Sequence, residues 1–369
     1  MPQPLFGPRI KAMREARKLT QEELARRFGF KDRQTISAIE TGERRLSAEE
    51  LVEAARIFGT TIDELTDPFL LVGDEGRFSW RQSGVGPERL LAFERDAGRW
   101  VATFRRIAPQ VGQQAPLLRR SLPLSARSTF EEAMAAGERF AADFALGDVP
   151  ARRLISAMEQ DLGILVLMVD AIDGVSGAAC RLPELDVVLI NRHEPEGRRH
   201  FDLAHELFHL LTWQEMPPQH SEESSENPKS HVERLANKFA SAVLMPQPVV
   251  VRFGDWAGMD VGAITTKLNS TADALAVTAS ALKWRLVSLG IIHQAIARQI
   301  SDAAIRNNGH TGVPREAPPP FSKQFMGVVA RALDEGLLST RRAANLLGVT
   351  LDDLPDLYQA HGIDATMEL

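Results

Sequence analysis

Hydrophobic positions change their spacing several times along the chain, and each change marks a different kind of element. Near the N-terminus the apolar residues come in short helical bursts. Leu24 and Ala25 form one and Ile36 and Ile39 another, separated by Gly29 to Asp32. Thr20 with Glu23 three residues on is a capping-box signal for the first helix, and Gly42 is a stop for the second. With Ile10 to Lys18 before them and Ala48 to Phe58 after, they predict five short helices about a tight turn. Longer helices follow over Glu88 to Ile107, Phe130 to Leu146 and Pro150 to Leu162. The helical spacing then gives way to apolar runs of strand length at Ile164 to Val169, Gly177 to Arg181 and Asp186 to Asn191. Phe201, Leu203, Ala204, Leu207, Phe208, Leu210 and Leu211 next make a helix that is apolar almost all round, hence central to a core. Leu235, Ala236, Phe239, Ala240, Val243 and Leu244 mark an amphipathic helix ended by Pro246. Ile264 to Leu289, Phe321 to Gly348 and Leu351 to Gly362 are also helical in pattern.

The expected architecture is multidomain. An all-α helix-turn-helix domain occupies residues 1–66, and a linker with a connecting helix occupies 67–127. An α+β domain with a small sheet follows over 128–295, then a linker over 296–320 and an α-helical C-terminal region over 321–369. Thr66 to Pro87, with its Pro, Gly and short apolar pieces, predicts little regular structure, and Asn307 to Pro320 is a Gly/Pro-rich linker. Gln214 to Ser230, rich in Pro, Ser and Glu, reads as a solvated, mobile loop. A chain of 369 residues, 44% hydrophobic, suffices for two or three cores. Its one cysteine, Cys180, cannot form an internal disulfide and fits a reducing compartment. No stretch approaches 18 apolar residues and Met1 to Lys11 has no apolar run, so neither a membrane span nor a secretory leader is expected; the cytoplasm, at the nucleoid, is the expected location.

The chemistry-bearing string is His205-Glu-Leu-Phe-His209. On a helix, imidazoles four residues apart share one face and can hold a single divalent cation, while Glu206 stands beside the open position, able to take a proton from water. Burying two His and a Glu in an apolar helix is costly unless something pairs them, and a zinc ion does so. The helix read without metal is a core segment with two satisfied histidines. A catalytic zinc wants a third protein ligand. The continuation with Gly and a third His is excluded, because Thr212 and Glu215 hold those places. Glu233, sharing a helix face with Asn237, is the better candidate; Glu222, Glu223, Glu226, His220 and His231 compete with it. Asp202 either orients a ligand histidine or caps the helix start, the cap being favoured. Asn191 and His193, at a strand end, either touch substrate or close a turn. His193, His231 and Arg234 are the candidate oxyanion donors, since the only tyrosine, Tyr358, lies far along the chain.

Ala-His-Glu-Leu-Phe-His, followed by Glu-x-x-Ala-Asn-x-Phe-Ala and Leu-Met-Pro, resembles the ImmA/IrrE-type metallopeptidases. The resemblance covers roughly residues 128–295 and implies His205, His209 and Glu233 as zinc ligands and Glu206 as general base. That family often has Thr at the place of Asp202 and Gly at that of Phe208, so polarity and cleft width differ here. Residues 6–66 resemble the Xre-type, lambda-repressor-like DNA-binding domain. That likeness implies a recognition helix opening with Arg33, Gln34, Thr35 and Ser37 toward base edges of double-stranded DNA, with Gln21, Arg44 and Arg45 on phosphates. Residues 9–45 carry eleven Lys or Arg against six Asp or Glu, in a chain of net charge −6. Such a surplus limits DNA attraction to one patch.

Joined, the two modules imply a transcriptional regulator carrying a zinc endopeptidase. Its expected reaction is limited proteolysis of a helix-turn-helix repressor or of itself, in a stress or mobile-element response, and its expected assembly is a homodimer. The alternative is a transcription factor or antitoxin whose zincin domain senses or scaffolds without turnover.

Overall fold

The computed structural model describes residues 6–67, 69–71, 76–113, 117–223, 230–305 and 317–364. In chain order the first elements are α1 (Phe6–Ala16), α2 (Gln21–Phe28), α3 (Arg33–Glu40), α4 (Ala48–Phe58), α5 (Ile62–Thr66), β1 (Arg77–Gln82), α6 (Pro87–Ile107), α7 (Phe130–Asp143) and α8 (Pro150–Ser156). The central elements are β2 (Leu165–Val169), β3 (Val175–Arg181), β4 (Asp186–Asn191), α9 (Glu196–Thr212), β5 (Ser221–Glu223) and α10 (His231–Leu244). Then come α11 (Gln247–Val250), α12 (Val261–Leu275), α13 (Ala279–Ser288), α14 (Gln294–Gln299), α15 (Lys323–Asp334), α16 (Thr340–Leu347) and α17 (Leu354–Ala360). The chain divides into two units: Met1–Arg77, Glu88–Gln113 and Arg331–Leu351 form one, and Phe78–Pro87, Gln114–Ala330 and Asp352–Leu369 the other. The C-terminal helical region is thus shared between the units.

In the first unit, α1 to α5 close around Ile10, Leu24, Ile36, Ile39, Ala54, Phe58 and Leu65. The helix starts follow from local chemistry. Thr20 Oγ1 accepts from Glu23 N at 3.2 Å while Glu23 Oε2 accepts from Thr20 N at 2.7 Å, and Ser47 with Glu50 repeats the device at α4. Gly29, at φ +73°, ends α2 in a conformation that favours glycine, and Asp32 caps α3 by accepting from Thr35 N at 3.1 Å. Arg14 and Glu40, both buried, meet in a forked pair at 2.6 and 3.1 Å. Arg9 is buried as well, donating to the carbonyls of Leu65 at 3.0 Å and Leu70 at 2.9 Å.

The second unit is built on a mixed sheet of order β2-β4-β3-β1-β5. Strand β2 runs parallel to β4 with Leu165 opposite Val187, β3 runs antiparallel to β4 with Ala179 opposite Val188, and β1 runs parallel to β5 with Arg81 opposite Glu222. Strand β2 is buried throughout, as continuous apolar runs predict for strands covered on both faces. Helix α9 packs on β3 and β4, α10 packs on α9, and α7 packs on α10. Against sequence expectation, Thr66 to Pro87 contains β1. Its Phe78, Ser79, Trp80 and Arg81 alternate apolar and polar, yet all four are buried, and the run is short and set among Gly and Pro. Likewise Gln214 to Ser230 contains β5, whose register on β1 owes nothing to apolar side chains. The expected ligand competitor Glu226 and most of the expected linker Asn307 to Pro320 lie outside the described residues.

Helices α7 and α10 approach so closely at Gly137 that a Cβ there would lie 2.6 Å from the Phe239 carbonyl oxygen and 2.9 Å from Ala242 Cβ. A Gly137→Ala chain is therefore expected to lose about 1–3 kcal/mol from overpacking. Its thermal unfolding midpoint should fall by a few degrees, and an unchanged midpoint would show that the helices separate without cost.

Candidate metal centre and nucleic-acid interface

Helix α9 begins at Glu196, six residues before Asp202, so His205, Glu206 and His209 sit in its interior and are buried with Asp202. Helix α10 contributes Glu233 and Asn237. The three expected ligands converge. His205 Nε2 lies 3.1 Å from Glu233 Oε2, His209 Nε2 lies 3.2 Å from Glu233 Oε1, and the two Nε2 atoms are 3.1 Å apart. A tetrahedral zinc with these ligand types has donor atoms about 3.3 Å apart, given bonds of about 2.0–2.2 Å. Donor set and spacing therefore fit a zinc ion. Glu206 Oε1 is buried with no hydrogen-bond partner among the described residues, and Glu233 Oε1 has only the His209 ring 3.2 Å away, a lack of partners that a metal and its bound water would relieve.

Asn237 fixes the His205 tautomer. Its Oδ1 lies 2.9 Å from His205 Nδ1, so that nitrogen carries the proton and Nε2 keeps its lone pair for the centre. Burial, followed by the Arg81 charge, pushes the His205 imidazolium down to about 4, so the ring is neutral near pH 7. Burial pushes Glu206 up to about 8. Burial acts upward on Glu233 also, but hydrogen bonds and charge from His205 and His209 reverse it and hold the carboxyl well below the usual range. Phe208 tilts against Phe239 at 5.5 Å between centroids, so the bulkier residue fills core behind the ligand face.

Arg81 on β1 enters the same cluster and was not anticipated. Its Nε lies 3.1 Å from Asp202 Oδ1, and its terminal NH1 lies 2.9 Å from His205 Nε2 and 3.2 Å from His205 Nδ1. Asp202 accordingly does not cap α9; it anchors Arg81. The sequence signal that could have found Arg81 is the apolar/polar alternation Phe78-Ser79-Trp80-Arg81, a short strand pattern.

The remaining candidates have other partners. Asn191 Nδ2 donates to the Val175 carbonyl at 3.0 Å and its Oδ1 accepts from His193 N at 3.1 Å, which closes the turn after β4. His193 Nε2 lies 2.5 Å from Asp170 Oδ1 on an exposed surface. His231 Nε2 lies 2.9 Å from the Ser128 carbonyl, and Arg234 covers the Phe130 ring at 5.4 Å. Tyr358 is buried within α17. Glu222, half-buried on β5, accepts from Gln219 N at 3.0 Å; burial raises its carboxyl, and Glu233 raises it further.

On α3, Ile36 and Ile39 turn inward while Arg33 and Gln34 are exposed and Thr35 and Ser37 half-buried at its start. Arg45 is exposed. Gln21 donates to Glu40 Oε2 at 2.8 Å, and Arg44 forks onto Glu50 at 2.6 and 3.1 Å over the Phe30 ring. With Arg9 and Arg14 buried, the positive surplus that reaches solvent is carried by Lys11, Arg17, Lys18, Arg26, Arg27, Lys31, Arg33 and Arg45.

Among curated proteins none matches the chain. A solved structure titled the apo form of the competence regulator ComR from Streptococcus vestibularis is 11% identical, covering 98% of this chain and 99% of that one, at a TM-score of 0.17. So low a score carries no argument. Residues 10–65 match the family model described as helix-turn-helix, and residues 159–251 match the M78 peptidase family model described as IrrE N-terminal-like domain. The chain therefore joins a helix-turn-helix domain of the Xre type to an IrrE N-terminal-like domain of the M78 peptidase family.

Proposed function

We propose that the protein is a DNA-binding transcriptional regulator whose second unit is a zinc-dependent endopeptidase, acting in the cytoplasm on a regulatory protein. The observation that carries this reading is the buried cluster in which the His205 and His209 Nε2 atoms lie 3.1 Å apart and 3.1 and 3.2 Å from the two oxygens of Glu233, with Glu206 Oε1 unpartnered beside it among the described residues. A scaffold has no use for an unpartnered buried carboxylate at that place. Zinc bound there supplies Lewis acidity, polarising a scissile carbonyl and making water a better nucleophile. Glu206 takes the proton of the attacking water and returns it to the leaving nitrogen. Asn237 holds the His205 ring so that its lone pair faces the centre. The helix-turn-helix match supports double-stranded DNA as one partner. A helix-turn-helix repressor, or this chain itself, is the proposed substrate, limited cleavage releasing a promoter in a stress or mobile-element response. A homodimer would bring two α3 helices to successive major grooves.

Elemental analysis of the purified protein should give one zinc per chain. His205→Ala and Glu233→Ala should each fall below about a tenth of that, since ligand loss removes most of the affinity. Glu206→Ala should keep its zinc; full occupancy in the ligand variants would mean the ligands are misassigned.

Glu206→Gln should retain zinc and DNA binding yet lose cleavage of a co-expressed repressor by a factor of about a hundred or more. Its substrate complex should survive a pull-down whose contents mass spectrometry names. Equal processing by wild type and variant would leave the domain as a sensor without turnover.

On duplexes selected from a random pool, Arg33→Ala should cost about 1–3 kcal/mol and relax one base position, whereas Arg45→Ala should weaken all sequences alike and lower the salt slope by about one. Electrophoretic mobility shifts across a salt series would separate the two; unchanged specificity in Arg33→Ala would remove that residue from base readout.

A further inference from the structure

Peptide hydrolysis at a buried centre needs a donor for the negative charge that develops on the carbonyl oxygen. Of the side chains first considered for it, His193 is engaged by Asp170, His231 by Ser128, and Arg234 lies over Phe130. Arg81 is different. It is 6% exposed, sits on β1 between β3 and β5, and brings an N–H to within 2.9 Å of a ligand nitrogen. We propose that Arg81 is the oxyanion-binding residue of this centre, its guanidinium meeting an anionic oxygen placed between it and the metal. The proposal rests on the metallopeptidase reading.

Two features argue for it. First, Arg81 is aimed from behind. Asp202, 1% exposed, lies 3.1 Å from Nε, so the opposite end of the planar fork projects at His205 rather than sweeping through solvent. Second, NH1 lies against the His205 ring, 2.9 Å from Nε2 and 3.2 Å from Nδ1. Contact with both nitrogens places it off the in-plane lone pair of Nε2, which stays open to a metal with the guanidinium beside it.

The chemistry balances with groups already named. Water oxygen bonds to the carbonyl carbon as its proton passes to Glu206, and the carbonyl π pair moves onto oxygen, where Arg81 N–H bonds shorten onto it. On collapse the C–N bond breaks and Glu206 delivers its proton to the departing nitrogen. An arginine here would take the place of the neutral donors that many zinc hydrolases use, and a full positive charge favours the transition state more strongly than a neutral one.

The test needs no peptide substrate. Full-length protein is loaded with cobalt(II) in place of zinc and titrated with inorganic phosphate, an oxyanion mimic, while the visible absorption of cobalt reports its coordination. Wild type, Arg81→Met and Arg81→Lys are compared, each with metal content by elemental analysis and a thermal melt. All three should bind one cobalt. Phosphate should shift the wild-type spectrum, bind at least tenfold more weakly to Arg81→Met, and bind Arg81→Lys with intermediate affinity. Phosphate affinity in Arg81→Met within twofold of wild type would overturn the proposal, as would a wild type that holds cobalt but ignores phosphate. Loss of cobalt and melting temperature in both variants would also overturn it, assigning Arg81 to holding the site together. Failure of wild type to bind cobalt at all would instead overturn the metallopeptidase reading beneath.

Discussion

Everything in the second unit depends on one electrostatic constraint: α9 is buried yet carries two imidazoles and two carboxylates in its interior. Ionisable groups in so dry a place must pair or discharge. The fold answers with three partners from two other elements, Glu233 and Asn237 from α10 and Arg81 from β1, each within 3.2 Å of an α9 side chain. Those contacts in turn dictate where α10 and β1 must pass. Gly137 lets α7 press α10 toward α9, and β1 takes its place between β3 and β5 with Arg81 and Trp80 both buried. The sheet and helices can thus be seen as a frame that closes around charges unable to be solvated.

The first unit solves a different problem with the same means. Eleven cationic residues in a short segment would repel one another, and several are neutralised internally: Arg14 by Glu40, Arg44 by Glu50. Glu40 takes the Gln21 amide as well, which fixes the start of α2 against the end of α3. What remains outside is a smaller set of charges spread over α1, α2, α3 and the turns beside them. A fixed α3 start, capped by Asp32, holds Arg33 and Gln34 at a defined angle, which is what discrimination between bases requires.

Local signals in the chain were legible wherever a residue's role depends on near neighbours. The Thr20–Glu23 capping box, the Gly29 stop, strand β4 at Asp186–Asn191 and α4 at Ala48–Phe58 stand where their patterns put them. His205, Glu206 and His209 are one turn of one helix, so their face could be read from spacing alone. Roles that depend on distant residues were not legible. Asp202 resembles a helix cap until α9 proves to start at Glu196 and Arg81 arrives from more than a hundred residues away. Charge counting failed likewise for Arg9 and Arg14, because sequence gives the sign of a side chain and not whether a carbonyl or carboxylate waits inside for it.

Strand β1 supplies Arg81 to the buried cluster although it lies in the stretch Thr66 to Pro87, whose sequence predicts a linker with little regular structure. Its position bears on self-processing. A cut anywhere from Arg77 to Gln82 would sever the strand whose pairing with β5 and whose guanidinium complete the centre that made the cut. A molecule that digested itself there would act once and disable its own blade. If the second unit is the peptidase proposed, repeated turnover requires a scissile bond outside this segment, since a cut here would take Arg81 away from the cluster.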